Sequence, residues 1–335
     1  MPATLDEIRR LIATHARPDM GTPIPGLLVS KVATNGPPEY ALTDPLFVVM
    51  AQGGKRLLLG DQVYEYRAGQ CLLVTAELPV TGHYLDAEEV EADAGHLQAG
   101  PGPRPGPDPR AGPGPRPGPP APSLAMGLVL RPAAIAPLLL ELPDGRRART
   151  ATAAGPPAMA TGDVGPDLLD AAARLLRLLD HPSDAPVLAP LVEREILWRL
   201  LTGPHGGVIR QIGLADSGLS HVSRAIRWIR EHYAEPLRIA DLARLTGMSP
   251  SAFHRHFRAI TAMSPLQFQK RIRLQQARTL LVARPGDVAG VGHLVGYDSP
   301  PQFSREYRRL FGAPPGQDAA RLRADTPPPD AKHLP

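Results

Sequence analysis

Two sets of mostly polar side chains recur about fifty residues apart in the C-terminal third of the chain. Within each set the later residues lie three, four and seven positions after the first, so they share one face of a helix. The first set is Ser251, His254, Arg255 and Arg258, and the second is Pro301, Ser304, Arg305 and Arg308. Arginine can donate two hydrogen bonds to guanine or bind a phosphate, and a helix fits the major groove of DNA. Each set therefore predicts a helix face that binds nucleic acid.

A short apolar helix and a glycine turn precede each of these faces. The first copy comprises Ile239, Leu242, Ala243, Leu245, the turn residue Gly247, the N-cap residue Ser249 and the inner residues Phe253, Phe257 and Ile260. The second copy comprises Val288, Val291, Leu294, Gly296, Ser299, Phe303, Tyr307 and Leu310. A duplicated helix-turn-helix is a much stronger signal than a single one. The pattern predicts two recognition helices that contact adjacent major-groove segments on one face of the duplex.

The segment between the copies, residues 266–281, has the spacing of a connecting helix. We expect its inner side to be apolar and its cations to point largely outward. The inner residues are Phe268, Ile272, Leu274, Ala277 and Leu281, and the cations are Lys270, Arg271, Arg273 and Arg278. Such a helix would join both motifs into one rigid module.

The charge is divided unevenly along the chain. Residues 1–218 contain 19 Lys and Arg against 24 Asp and Glu, whereas residues 219–325 contain 17 against 8. This asymmetry favours a basic module with a polyanionic partner, either nucleic acid or an anionic membrane surface. Because no run of 18 apolar residues occurs and Cys71 is the only cysteine, we expect a cytoplasmic protein that does not enter the membrane.

The N-terminal part has a different pattern. Short apolar runs between residues 26 and 83 predict an antiparallel sheet or small barrel, and residues 124–130 predict one more strand. The intervening stretch 100–122 holds 11 Pro and 6 Gly, which predicts a solvated insertion within the domain. Leucine stripes over 168–179 and 191–201 predict two helices, whose apolar faces would cover the barrel or pair with a second copy.

The C-terminal motifs resemble the AraC/XylS type of bacterial transcription regulator. The resemblance covers residues 219–323 and is carried by Val295-Gly296-Tyr297-Asp298-Ser299, Phe303-Ser304-Arg305-Glu306-Tyr307 and Gly312-Ala313-Pro314-Pro315. Upstream, Pro25-Gly26-Leu27, Val49-Met50-Ala51-Gln52-Gly53, Leu58-Leu59-Gly60-Asp61 and 188–196 are similar to the effector domain of one AraC subgroup. The resemblance implies a multi-domain α+β chain, in which a cupin-like β-barrel with helices precedes an all-α module with two helix-turn-helix motifs.

The resemblance also implies roles for particular residues. Base-contacting positions fall on Ser251, Ala252, His254 and Arg255 in the first recognition helix, and on Pro301, Gln302, Ser304 and Arg305 in the second. Arg258 and Arg308 lie one turn further on and complete the predicted DNA-binding set. Two features depart from the family pattern: glycines interrupt the first helix of the second motif at Gly290 and Gly292, and Pro300-Pro301 removes two backbone donors.

Other chemistry is weakly represented. The barrel region offers only His83 and His96 as histidines, so we expect no metal, and no phosphate loop or nucleophile motif indicates an enzyme or a cofactor. Cys71 is interpreted as a small buried hydrophobe, with a reactive sensing thiol as the alternative.

The sequence therefore predicts a regulator that binds double-stranded promoter DNA and a small-molecule effector and, by family resemblance, contacts RNA polymerase. The leucine stripes leave the formation of a homodimer open. The predicted divisions are 1–202 for the effector domain, 203–218 for a linker, 219–325 for the DNA-binding domain and 326–335 for a disordered tail. The alternatives are an architectural DNA-binding protein whose barrel serves only for dimerisation, and a cupin enzyme with an accessory DNA-binding module.

Overall fold

The computed structural model describes residues 2–33, 36–85, 121–143, 158–214 and 217–325. The chain forms two compact units, Met1–Ser220 and His221–Pro335. Most of the Pro/Gly-rich tract predicted at 100–122 and the whole tail predicted at 326–335 lie outside the described residues. None of the described helices combines the length and apolar character needed to cross a lipid bilayer.

The N-terminal unit is built on two antiparallel sheets. Its strands are β1 (Leu27–Val32), β2 (Glu39–Thr43), β3 (Leu46–Gln52), β4 (Gly54–Leu59), β5 (Gln62–Arg67), β6 (Gln70–Val74), β7 (Leu78–Leu85), β8 (Ser123–Val129) and β9 (Met159–Asp163). One sheet has the order β1-β8-β3-β6-β9 and the other β2-β7-β4-β5. Phe47, Met50 and Leu73 are among the buried side chains that hold them together. This is the cupin-like arrangement that the sequence predicts.

The strand that follows the Pro/Gly-rich tract belongs to the same domain as the strands before it. β8 pairs with β1 on one side, where Val29 lies opposite Met126, and with β3 on the other, where Val48 lies opposite Gly127. Since β8 lies between two earlier strands, the tract interrupts one sheet and does not separate two domains.

Helices accompany these sheets. They are α1 (Pro2–His15), α2 (Pro132–Leu140), α3 (Pro166–Arg177), α4 (Ala185–Thr202) and α5 (Gly206–Gly213). The two helices predicted from the leucine stripes are confirmed as α3 and α4. The helix α1 has no counterpart among the predictions; it buries Ile8, Leu11 and Ile12, and the Arg177 guanidinium of α3 donates two 2.7 Å bonds to the Glu7 carboxylate.

Two expectations about this region differ from the structure. Leu191, placed in an apolar stripe, is 61% exposed, because the buried face of α4 continues through Ala189 and Ala185. The stretch 203–218, expected to be a linker, contains α5, whose Val208, Ile209 and Ile212 are buried. These three residues have helical spacing, which the neighbouring glycine pair obscured.

The C-terminal unit is all-helical within the described residues. Its helices are α6 (Gly218–Glu231), which begins just before the boundary at His221, α7 (Ile239–Thr246), α8 (Pro250–Thr261), α9 (Pro265–Ala283), α10 (Val288–Leu294), α11 (Pro300–Phe311) and α12 (Pro315–Asp325). The pairs α7–α8 and α10–α11 are the two predicted helix-turn-helix motifs, and α9 is the predicted connecting helix. Despite its glycines α10 forms, and a Cβ at Gly292 would lie 3.1 Å from the Phe303 ring, so glycine allows the two helices to approach closely.

Some side chains of this unit point opposite to the prediction. Leu245 and Leu294, expected on inner faces, are 45% and 48% exposed at equivalent places in the two copies. Each lies near the end of a helix of only seven or eight residues, where few neighbouring side chains are present to cover it. Arg273 and Arg278, expected to point largely outward, instead form internal hydrogen bonds.

Candidate DNA interface and interior cavity

The first recognition helix, α8, separates a buried apolar face from an exposed polar one. The Ser249 hydroxyl caps the helix by accepting a 3.3 Å hydrogen bond from the Ala252 amide, and Pro250 occupies the first turn. Phe253 and Phe257 are fully buried with ring centroids 5.5 Å apart. On the other face Ser251, His254, Arg255 and Arg258 are exposed, whereas Ala252 is half-buried.

The second recognition helix, α11, repeats this division. The Ser299 hydroxyl accepts a 3.4 Å hydrogen bond from the Gln302 amide, and Phe303 and Tyr307 are fully buried. The outer residues are Pro301, Gln302, Arg305 and Arg308, all exposed, and Ser304, which is half-buried. The predicted DNA-binding residues thus lie along one side of each recognition helix.

The two faces differ in what their polar groups already bind. The Gln302 side-chain amide donates a 3.1 Å hydrogen bond to Glu306, whose carboxylate also accepts from Lys270 and from the Tyr297 hydroxyl, both at 2.8 Å. Burial raises the pKa of Glu306, but these three donors together lower it by a larger amount. The pKa therefore lies below its ordinary value, and the group is anionic. An acidic residue therefore lies within the second helix, neutralised by its neighbours.

Four guanidinium groups are free for an external partner. Within the described residues, no carboxylate pairs with Arg255, Arg258, Arg305 or Arg308. Some other arginines that face solvent do have a carboxylate partner, as Arg244 does with Asp241 at 3.0 Å. The concentration of unpaired cations on the two outer faces gives the module a positive potential there.

The connecting helix α9 holds the two motifs together through main-chain carbonyls. Arg273 donates to the carbonyl oxygens of Tyr233 at 2.6 Å and Gly296 at 2.7 Å, and at longer range to those of Ala234 and Glu235. The loop before the first motif and the turn of the second are thereby fixed to one side chain. Sequence reasoning missed this role, because the partners are backbone atoms 23 and 40 residues away.

A buried ion pair fixes the last helix behind α11. Asp318 is fully buried and accepts hydrogen bonds from Arg278 at 2.7 Å and from the Tyr307 hydroxyl at 2.9 Å. Burial raises the pKa of Asp318, but the bonds from Arg278, Tyr307 and Arg321 lower it more strongly. The carboxylate is thus charged, and it ties α12 to α9 and α11.

The two sheets of the N-terminal unit enclose a separate cavity of about 380 Å³. Its wall is mostly aliphatic, with Leu57, Leu72 and Met126 among the lining residues. Cys71 lies in β6 directly before the lining residue Leu72 and is 2% exposed. Burial raises the pKa of its thiol to about 11. Little thiolate is present at neutral pH, so the structure favours the interpretation of Cys71 as a buried hydrophobe.

Together these features define the class of the protein: a chain that carries two helix-turn-helix motifs on one helical module and a cupin-like domain before it. Comparison with protein families agrees with this. Residues 23–91 and 115–208 match the family model of the AraC-type transcriptional regulator N-terminus, and residues 242–321 match a helix-turn-helix domain. The first match omits 92–114, which includes most of the Pro/Gly-rich tract.

Individual relatives lead to the same family. The chain is 27% identical over 149 residues to the HTH-type transcriptional regulator ExsA of Pseudomonas aeruginosa, covering 43% of this chain and 52% of ExsA. It is 25% identical over 164 residues to the HTH-type transcriptional activator RhaS of Salmonella paratyphi A, covering 47% of this chain and 58% of RhaS. The chain thus spans little more than half the length of these curated relatives.

A solved structure matches the fold over nearly the whole chain. A crystal structure of apo ToxT from Vibrio cholerae superposes with a TM-score of 0.50, covering 89% of this chain and 98% of ToxT at 9% identity. At that identity the likeness concerns the fold alone. The chain belongs to the AraC family of transcription regulators.

Proposed function

We propose that the protein is a sequence-specific DNA-binding transcription regulator whose N-terminal domain binds a small-molecule effector. The observation that carries the proposal is the set of four exposed, unpaired guanidinium groups on the outer faces of two N-capped recognition helices. An isolated basic surface would bind DNA without selectivity. Two helices that each pack one apolar face into the core instead hold their exposed side chains at fixed positions against base edges.

Within each helix we assign different tasks to the two arginines. Arg255 and Arg305 lie in the first half of their helices, where side chains of a recognition helix reach base edges, and we assign them to base contacts. Arg258 and Arg308 lie one turn later, and we assign them to phosphates. Ser251, Ala252, His254, Gln302 and Ser304 complete the proposed interface, with Gln302 limited by its bond to Glu306.

The rest of the proposal concerns partners and location. The family matches favour a regulator over an enzyme, and a regulator of bacterial promoters works in the cytoplasm, where it would contact RNA polymerase. An effector in the sheet cavity would act by stabilising one of two arrangements of the domains. Pairing of two copies is compatible with the exposed Val187, Leu188 and Leu191 on α4.

The test is binding of the full chain to a duplex from its own upstream region and to a shuffled duplex, across a salt series. We expect selective binding with a steep negative salt slope. Arg255→Ala and Arg305→Ala each reduce selectivity by about 1–3 kcal/mol. Arg284→Ala removes the same charge outside the recognition helices and leaves the selectivity ratio unchanged.

The opposite result has a definite meaning. Equal binding to both duplexes, with a selectivity ratio that Arg255→Ala and Arg305→Ala do not alter, contradicts the assignment of the recognition helices. The architectural alternative, in which the sheets serve only for dimerisation, would then be the better account.

A further inference from the structure

The sheet cavity has a row of polar side chains in a mostly aliphatic wall. Lys55 of β4 lies directly opposite Tyr66 of β5 on one side and Tyr84 of β7 on the other, and all three line the cavity. Cross-strand pairs at this register project from the same face of a sheet. An ammonium group and two phenol groups are thus placed in one row across three strands.

The ammonium of Lys55 is held inside by specific bonds. Its side chain is 16% exposed, and Nζ donates to the Tyr84 hydroxyl at 3.0 Å and to Oε2 of Glu39 at 2.9 Å. A Cβ at position 82 would lie 2.8 Å from the Lys55 Cε, so Gly82 provides the space that lets Lys55 reach across β7 to Glu39. Burial lowers the pKa of Lys55, but Tyr84 and Glu39 together raise it by a larger amount. The pKa therefore lies above its ordinary value, and the group is cationic.

Tyr66 has a polar group that the protein leaves unused. The residue is 3% exposed, lines the cavity and forms no side-chain hydrogen bond with the described residues. Buried hydroxyls in folded proteins are almost always hydrogen-bonded, and this one faces a space large enough for a ligand. Tyr66 therefore provides a donor beside the ammonium of Lys55.

Glu39 is a weakly held counter-ion. Its side chain is 46% exposed, at the beginning of the edge strand β2, so water can solvate the carboxylate when it leaves Lys55. Two further cations at the cavity, Arg17 and Lys31, are exposed. With three cations against one carboxylate, the lining attracts an anion, whereas the aliphatic wall requires an apolar body.

We propose that the cavity binds an amphipathic monocarboxylate, whose carboxylate replaces Glu39 at Lys55 and accepts a hydrogen bond from Tyr66. Its apolar body lies against the aliphatic wall. This inference rests on the proposed function, since it names the chemical class of the effector. The exchange also breaks the bond that connects β4 to β2, so ligand binding changes the edge of the sheet.

The experiment compares ligands that share a body and differ in the head group. Binding of decanoate, decanol and decylamine to the full chain is measured by calorimetry, with hexanoate and benzoate as smaller carboxylates. We expect at least one carboxylate to bind, and decanoate to bind at least tenfold more tightly than decanol or decylamine. Lys55→Met removes that preference, and Tyr66→Phe weakens decanoate severalfold without affecting decanol.

Glu39→Gln provides the most specific test. Because it removes the competing carboxylate, it should tighten decanoate binding severalfold, whereas damage to a merely structural ion pair would weaken binding or leave it unchanged. Lys270→Met, in the other unit, is the matched control and leaves decanoate binding as it is. Since Glu39→Gln and Tyr66→Phe keep the buried lysine, the test does not depend on Lys55→Met folding.

Three results would overturn the inference: no binding of any of the three carboxylates, equal binding of decanol and decanoate, or decanoate binding that is weaker or unchanged in Glu39→Gln. DNA binding of the same samples separates this inference from the proposed function. Selective DNA binding without carboxylate binding rejects the ligand class alone. Equal binding of the unmodified chain to both duplexes contradicts the proposed function as a sequence-specific regulator.

Discussion

Replacement of Arg273 by alanine should destabilise the C-terminal unit without removing any residue of the proposed DNA interface. Of the four carbonyl oxygens that Arg273 binds, those of Tyr233 and Gly296 accept partly buried bonds, whereas those of Ala234 and Glu235 are exposed and water can replace the guanidinium there. A hydrogen bond from a charged group contributes about 1.5–3 kcal/mol. Two such bonds at the lower value amount to about 3 kcal/mol.

The two tryptophans allow this loss to be measured in one unit. Trp198 lies in α4 and Trp228 in α6, so in a Trp198→Phe background the fluorescence of Trp228 reports the C-terminal unit alone. Urea titration of the full chain should give a free energy of unfolding about 3 kcal/mol lower for Arg273→Ala. Arg273→Lys keeps the charge but not the planar donor geometry, and it should fall between the two.

The matched control is Arg309→Ala, which removes an exposed guanidinium that makes no bond within the described residues. It should change the free energy of unfolding by no more than about 0.5 kcal/mol. If Arg273→Ala and Arg309→Ala unfold at the same urea concentration, the four carbonyl bonds do not stabilise the unit, and the account of α9 as the connection between the motifs is wrong.

Two further predictions concern buried groups. Asp318→Asn leaves the half-buried guanidinium of Arg278 without its counter-ion and should lower the free energy of unfolding by about 3–5 kcal/mol in the same assay. Because folding lowers the pKa of Asp318 below its ordinary value of 3.8, the contribution is complete above that pH and is lost as the pH falls through the lowered pKa. The difference between Asp318→Asn and the unmodified chain should therefore shrink in acid; a constant difference would contradict the ion pair. Cys71, with its buried thiol, should react with a maleimide only as fast as the N-terminal unit opens, and labelling at the rate of free cysteine would refute its burial.

The helices of the C-terminal unit could be predicted because their signals are local. Phe253 and Phe257, and Phe303 and Tyr307, stand four residues apart with a serine cap before each pair, and such spacing specifies a buried stripe without any knowledge of the partner. The exposure of Leu245 has the same explanation, because spacing identifies an apolar stripe but not the neighbour that covers it. The roles of Arg273 and Arg278 depend on carbonyls and a carboxylate far along the chain, which no local pattern contains.

The cavity was accessible to sequence reasoning only as the interior of a predicted barrel. The row formed by Tyr66, Lys55 and Tyr84 depends on the register of three strands, and shifting one strand by a single residue would turn its side chain to the opposite face. Apolar runs locate strands to within a few residues, which is too coarse to fix such a register. The role of Gly82 could not be predicted for the same reason, because it depends on the Lys55 side chain that crosses it from the neighbouring strand.

The two recognition helices share a frame but carry different side chains. The first presents a serine, a histidine and arginines, whereas the second begins with two prolines and includes a glutamate that is paired with Lys270 and hydrogen-bonded by Tyr297. A module with unlike ends has a head and a tail, so one copy cannot fit the same DNA segment in both orientations equally well. Inverting a site relative to the start of a gene would then point the module the other way, and a single chain would give its promoter a direction without needing a palindrome.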